Sequence, residues 1–171
     1  MSRFTVRGFA GGLLSAMGHN PVIAIRGFSG EVRGDPAVPE QASLHMKIQT
    51  ASLSVENDMS DKDRREMARV MQEEVLEVTR YPEIEFQSTA ISSQGNGRIA
   101  IDGNLTLHGV TRPHRMAAQL SLIGPTLRAF GDFSVRQTDY RIKLASVAGG
   151  ALKLKDELKI TFDIVAQART D

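Results

Sequence analysis

The chain has 171 residues, of which 41% are hydrophobic, enough for one domain with a sizeable core. Its 21 basic and 20 acidic side chains nearly cancel, which argues against a nucleic-acid binder and against electrostatic docking on anionic membranes. It has no cysteine, so a disulfide scaffold and a thiolate metal site are excluded.

At the start, Phe4 and Val6 alternate with Thr5 and Arg7, the period of a half-buried strand. The opening lacks the apolar run of roughly 7–15 residues of a secretory signal, and Phe9–Met17 is short and glycine-rich. A cytoplasmic location is therefore expected, or a periplasmic one if a leader has been removed. Val22–Phe28 gives a weaker strand signal. Leu44, Met46 and Ile48 alternate with polar neighbours, as do Ile84 and Phe86. Between these two, Met67, Val70, Met71, Val75 and Val78 recur at helical spacing, which predicts one amphipathic helix over 61–78. Ser60 and Asp63 make an imperfect capping box, and Pro82 ends the run.

Alternation then returns. Ile99, Ile101, Leu105 and Leu107 share one face, with Gly103 marking a bend or bulge. Met116, Ala118, Leu120 and Leu122 form the next face, Leu127–Val135 a weaker one, and Leu158, Ile160, Phe162, Ile164 and Ala166 the longest. Turn signals fall at Gly30–Pro39, Ser92–Gly97, Gly109–Pro113 and Gly124–Pro125. About eight antiparallel strands with one helix suggest a barrel or a sandwich in a single domain spanning 1–171. No stretch approaches the ~18 consecutive apolar residues of a membrane-spanning helix. Medium-sized inward residues such as Ala118, Val135 and Ala166 leave room for a cavity, although they also suit a tight core.

Residues that carry chemistry are sparse. His19, His45, His108 and His114 show no tight metal-ligand spacing. The plainest roles are a hydrogen bond from His108 to turn backbone, and solvation for His45 and His114. Ser15 lacks a nucleophile-elbow context. Glu73 and Glu74 on the helix, and Glu83 and Glu85 on an outer strand face, read as solvated charge. Gly11-Gly12 and Gly149-Gly150 match no phosphate cradle. The stretch Arg136–Leu154 is long for a hairpin connection and is either a lid or a strand extension. Arg112, Arg136 and Arg141 are the best anchors for an anionic head group, because guanidinium forks match phosphate and carboxylate oxygens.

Several segments, read in order, resemble the YceI family of lipocalin-like, polyisoprenoid-binding proteins. They are Gly18-His19, Tyr81-Pro82-Glu83-Ile84-Glu85-Phe86-Gln87-Ser88-Thr89, Gly103-Asn104-Leu105-Thr106-Leu107-His108-Gly109-Val110-Thr111-Arg112-Pro113, Gly131-Asp132-Phe133-Ser134-Val135-Arg136-Gln137-Thr138-Asp139-Tyr140 and Asp156-Glu157-Leu158-Lys159-Ile160. The helix departs from the family, since Lys62-Asp63-Arg64-Arg65-Glu66 lacks its commoner Arg-Asp-x-His-Leu pattern. The resemblance implies a mainly β fold, an eight-stranded antiparallel barrel with one inserted helix, and a homodimer. It also implies a long isoprenoid or fatty-acyl-like molecule inside the barrel, with no cofactor and no catalysis.

The expected ligand contacts are Ile99, Ile101, Leu105, Leu107, Met116, Ala118, Leu120, Phe133, Leu158, Ile160, Phe162 and Ile164 on the inward face. Arg112, Arg136, Arg141, His19 and His108 are expected near the head group. Two rival readings stand beside this carrier: an enzyme that uses the barrel-mouth histidines, and a stress-linked structural module with a solid core.

Overall fold

A strand with one apolar face needs both a neighbour along its edge and something to cover that face. The computed structural model, which describes residues 2–11, 20–144, 146–147 and 152–168, meets both needs by curling one antiparallel sheet around its own apolar side. In chain order the strands are β1 (Arg3–Arg7), β2 (Ala10–Gly11), β3 (Val22–Ile25), β4 (Phe28–Arg33), β5 (Ser43–Gln49), β6 (Leu53–Val55) and β7 (Glu83–Gly95). Then follow β8 (Arg98–Leu107), β9 (Val110–Ile123), β10 (Thr126–Arg136), β11 (Ser146–Val147), β12 (Leu152–Leu154) and β13 (Glu157–Gln167). The main sheet runs β4-β5-β7-β8-β9-β10-β13-β1-β3-β6, while β11, β12 and β2 form a small side sheet.

The main sheet thus has ten strands where the alternation predicts eight. The difference arises because two passes of the chain each break in the middle. Val22–Phe28, expected as one strand, splits at Arg26–Gly27: β3 pairs with β1 and β6, whereas β4 pairs with β5. The neighbouring pass splits alongside it at Thr50–Ser52, a single 3-10 turn between β5 and β6. Backbone bonds hold the two bends together, from Gln49 N–H to the Gly27 carbonyl (2.9 Å) and from Arg26 N–H to the Ser52 carbonyl (3.3 Å). A Cβ on Gly27 would lie 2.8 Å from that of Ser52, so the close approach requires glycine. Counted as passes, the sheet is an eight-stranded ring closed through this corner, in keeping with the expected lipocalin-like barrel.

The helix is shorter than predicted. Helix α1 covers Asp61–Arg69, and Val70–Val75 continues it as a π-helical turn. The Ser60 side chain accepts from Asp63 N–H (3.1 Å) and donates to its carboxylate (2.6 Å), so the helix is capped, but the carboxylate bonds the Ser60 hydroxyl and not the backbone N–H that a glutamate or glutamine reaches in a full capping box. Arg69 is held by Glu66, Glu73 and Glu74, which ties the α turn to the π turn. Glu77, in the left-handed region at φ 46°, ends the segment before Val78. Past β10, the long connection forms a 3-10 turn (Gln137–Tyr140) and two short strands of the side sheet. Gly12, His19 and Gly149-Gly150 lie outside the described residues.

Gly103 faces inward between Ile101 and Leu105, and the expected irregularity lies beside it. The register of β7 against β8 shifts between Ser88 and Ala90, opposite Gly103 and Asp102. The Phe86 ring fills the space that a Gly103 side chain would take, and a Cβ there would meet the Gln87 carbonyl oxygen at 2.5 Å. Gly103→Val is expected to cost about 1–3 kcal/mol through overpacking, read as a lowered midpoint in urea unfolding; an unchanged midpoint would contradict this packing.

Candidate functional site

The inward faces of the strands do not meet. They enclose an apolar cavity of about 1540 Å³, larger than the usual 300–1,000 Å³ of a small-molecule site. A solid core, one of the rival expectations, is therefore not what the barrel contains. All twelve strand residues expected on the inward face line this space, from Ile99 and Ile101 on β8 to Ile164 on β13. Alternation was enough to find them, because one register fixes the face of a whole strand.

Among the described residues the cavity has one end lined mainly by buried side chains, the closed end, and one lined mainly by exposed ones, the open end. The closed end lies where β8 turns into β9 and where β10 gives way to the 3-10 turn. Its lining includes Leu76, Leu107, Val135, Gln137, Ile142 and Leu154. Gln137 is buried there, and its amide donates to the Lys155 carbonyl (3.1 Å), so a polar side chain sits in the wall with its own partner. At the other end the lining runs through Val32, Arg33, Gly34, Pro36 and Pro39 and through Val165–Ala168. Here β4 pairs on one side only among the described residues, which leaves a seam beside the C-terminal part of β13.

Helix α1 and the π turn also line the cavity, with Asp63, Glu66, Met67, Val70, Met71 and Val75. Periodicity found this apolar stripe without showing what it would cover. Five methionines, Met46, Met59, Met67, Met71 and Met116, face the cavity; the chain's other two, Met1 and Met17, lie outside the described residues. Thioether side chains suit a wall that adapts to what it touches.

The expected head-group residues lie elsewhere. None of Arg112, Arg136 and Arg141 lines the cavity. Arg136 donates to the Asp156 carboxylate (3.2 Å), which also accepts from the Thr138 N–H (2.8 Å) and hydroxyl (2.6 Å). These bonds hold the Asp156 carboxyl below its usual range, the Thr138 hydroxyl contributing most. Arg112 is exposed on β9, and Arg141, at φ 58°, caps the 3-10 turn. The cation at the open end is Arg33, paired with Glu31 at 3.1 Å. No residue pattern distinguished it, since it sits in a segment that reads as a turn.

His108 serves structure. In the left-handed region (φ 52°), it shares hydrogen bonds with Glu77 through Nε2 (2.8 Å) and with the Tyr140 carbonyl through Nδ1 (3.3 Å). The backbone it meets is that of a different turn from its own. The Tyr81 ring stacks on it at 4.3 Å and also lies under Gly109. The Tyr81-Pro82 strand start, the His108-Gly109 turn and the Gln137–Tyr140 turn, all parts of the segments that carried the resemblance, converge at this closed end. His45 is paired with Glu85 on the outer face, and its side chain stays 42% exposed, as solvation predicts. His114, by contrast, is not solvated: its Nε2 is buried with no hydrogen-bond partner, and its ring meets Phe133 edge-on at 5.0 Å. The described residues contain no group of three or more potential metal ligands.

Two measurements check these assignments. His108→Ala leaves the Tyr140 carbonyl and the Glu77 carboxylate without their shared partner and is expected to cost about 1–3 kcal/mol in chemical unfolding. For His114, burial lowers the pKa below its ordinary 6.5. The unfolded chain therefore binds a proton that the folded chain resists, so stability is full above pH 6.5 and falls as the solution is acidified below it. Replacement by phenylalanine is expected to flatten this part of the stability–pH profile, and an unchanged slope would contradict a buried neutral imidazole.

Comparison with known proteins agrees with this architecture. The BcnA protein of Burkholderia cenocepacia superposes with a TM-score of 0.78 at 23% identity, covering 97% of this chain and 96% of that one. A polyisoprenoid binding domain from Saccharophagus degradans, implicated in plant cell wall breakdown, gives 0.71 at 11% identity, covering 98% and 94%. A UPF0312 protein of Shewanella baltica is 33% identical over 101 residues, 58% of this chain and 50% of its own length. The chain therefore spans about half the length of that curated relative. The YceI-like domain model matches residues 4–166, and the chain belongs to this family.

Proposed function

We propose that the barrel binds and carries, or stores, a long-chain isoprenoid or similar amphiphile, without catalysing a reaction on it. The observation that carries this reading is the apolar cavity of about 1540 Å³, lined mainly by exposed residues at one end and, among the described residues, mainly by buried ones at the other. Burial of each methylene there contributes roughly 0.8 kcal/mol, so chain length sets affinity until the closed end is reached. The polyisoprenoid-binding description of the Saccharophagus degradans domain supports the same ligand class. A histidine-dependent enzyme has less to support it, since His108 is committed to Glu77 and Tyr140.

Native mass spectrometry of protein purified without detergent is expected to show an apolar adduct that solvent extraction removes, and it also tests the proposed homodimer. Ala118→Trp places a large ring in the middle of the cavity wall, where Ala118 is now 4% exposed. The variant is expected to bind added polyprenol at least about tenfold more weakly, by loss of the space that the chain would fill. Protein that releases no apolar compound and binds none when supplied would overturn the carrier reading.

A further inference from the structure

The cavity carries an internal pattern that a featureless apolar container does not need. Aromatic rings line its waist in sequence across four strands. Phe28 on β4 contacts Phe4 on β1 at 5.8 Å, Phe4 contacts Phe162 on β13 at 6.1 Å, and Phe162 contacts Phe133 on β10 at 6.2 Å. All four phenylalanines line the cavity. A fifth ring, His114 on β9, lies 5.0 Å from Phe133 and just outside the cavity lining. These separations all fall within the range of attractive ring contacts.

His114 stands two and four residues before Met116 and Ala118, which line the cavity, and alternation gives it the same face. The strand next to it has drawn away. Pairing of β9 with β10 is recorded only for Gln119–Ile123 against Phe130–Thr126, while β9 continues along β8 to Val110 and β10 continues along β13 to Arg136. The imidazole sits at this split, behind Phe133. A buried polar atom without a partner is costly and calls for a cause. A packing role alone would be better met by phenylalanine, the residue used in the rest of the belt.

We propose that His114 is the polar contact of the cavity, where its Nε2 hydrogen-bonds a neutral oxygen, hydroxyl or carbonyl, of an isoprenoid whose chain lies along the aromatic belt. The imidazole reaches the ligand by rotation of the Phe133 ring. A neutral oxygen fits better than a phosphate, because burial also disfavours the charged imidazolium. The wall around the cavity offers Arg33 as its cation, already paired with Glu31.

This inference rests on the carrier reading, and two probes separate the two. One is a long-chain polyprenol, and the other is squalene, an isoprenoid hydrocarbon with no oxygen. Both are titrated against the wild-type protein and against His114→Phe and His114→Gln, by displacement of an apolar naphthylamine dye. One neutral hydrogen bond corresponds to about a fivefold change in affinity. The polyprenol is expected to bind His114→Phe about fivefold more weakly, the squalene affinity to stay within about twofold, and His114→Gln to recover part of the loss. Equal losses for both probes, or no loss for either, would assign His114 to packing and overturn the inference while leaving the carrier reading intact. If the wild-type protein binds neither probe, both readings fail.

Discussion

Every wall of the cavity depends on how the sheet disposes of its edges. An open sheet of this size would leave two rows of unpaired backbone groups, each a template for unwanted pairing. The chain avoids most of this at one corner, where Gly27 lies against Gln49 and Ser52 and lets two passes change neighbours together. Upstream of the corner the pass pairs with β1 and β6; downstream it pairs with β5. Closure through a bend has a geometric cost, because β4 cannot follow β1 beyond it. The remaining seam becomes the open end of the cavity, so the same constraint that removes most of the edge also provides a way in.

The two ends of the barrel divide the work between stability and binding. At the closed end, His108, Glu77, Tyr81 and the Tyr140 carbonyl join the helix exit to two turns. Asp156 holds the second of these turns, Gln137–Tyr140, through three hydrogen bonds from Arg136 and Thr138. Such satisfied polar clusters define one arrangement of backbone. The interior is different: its wall is made of aliphatic, aromatic and thioether groups, with few polar atoms in reach.

This division explains what was legible in the sequence. The strand faces were legible because a period of two admits only inward or outward, so Ile99 through Ile164 fell into place without knowledge of the fold. The family was legible from segments such as Leu107-His108-Gly109 because turns demand particular residues: His108 and Gly109 both occupy the left-handed region. The same segments do not supply the cavity wall at their polar positions: His108 and Arg136 bond Glu77, the Tyr140 carbonyl and Asp156, and none of His108, Arg112 and Arg136 lines the cavity. Arg33 and His114 gave no signal, since exposure at a seam and burial at a strand split are properties of the closed barrel. The helix end was also hidden, because apolar spacing continues to Val78 while Glu77 has already left the helical region.

The five methionines in the cavity wall set a thermodynamic trade-off. An unbranched side chain with three rotatable bonds keeps many rotamers while nothing presses on it. A ligand that fits closely enough to fix one such side chain gives up as much as about 1.5–2 kcal/mol of its rotamer freedom. With Met46, Met59, Met67, Met71 and Met116 all facing the cavity, a perfectly moulded fit carries several such penalties at once. A ligand that leaves them mobile avoids the penalties and forgoes some contact. The wall therefore rewards bulk and length over contour, and it narrows the spread of affinities among related chains.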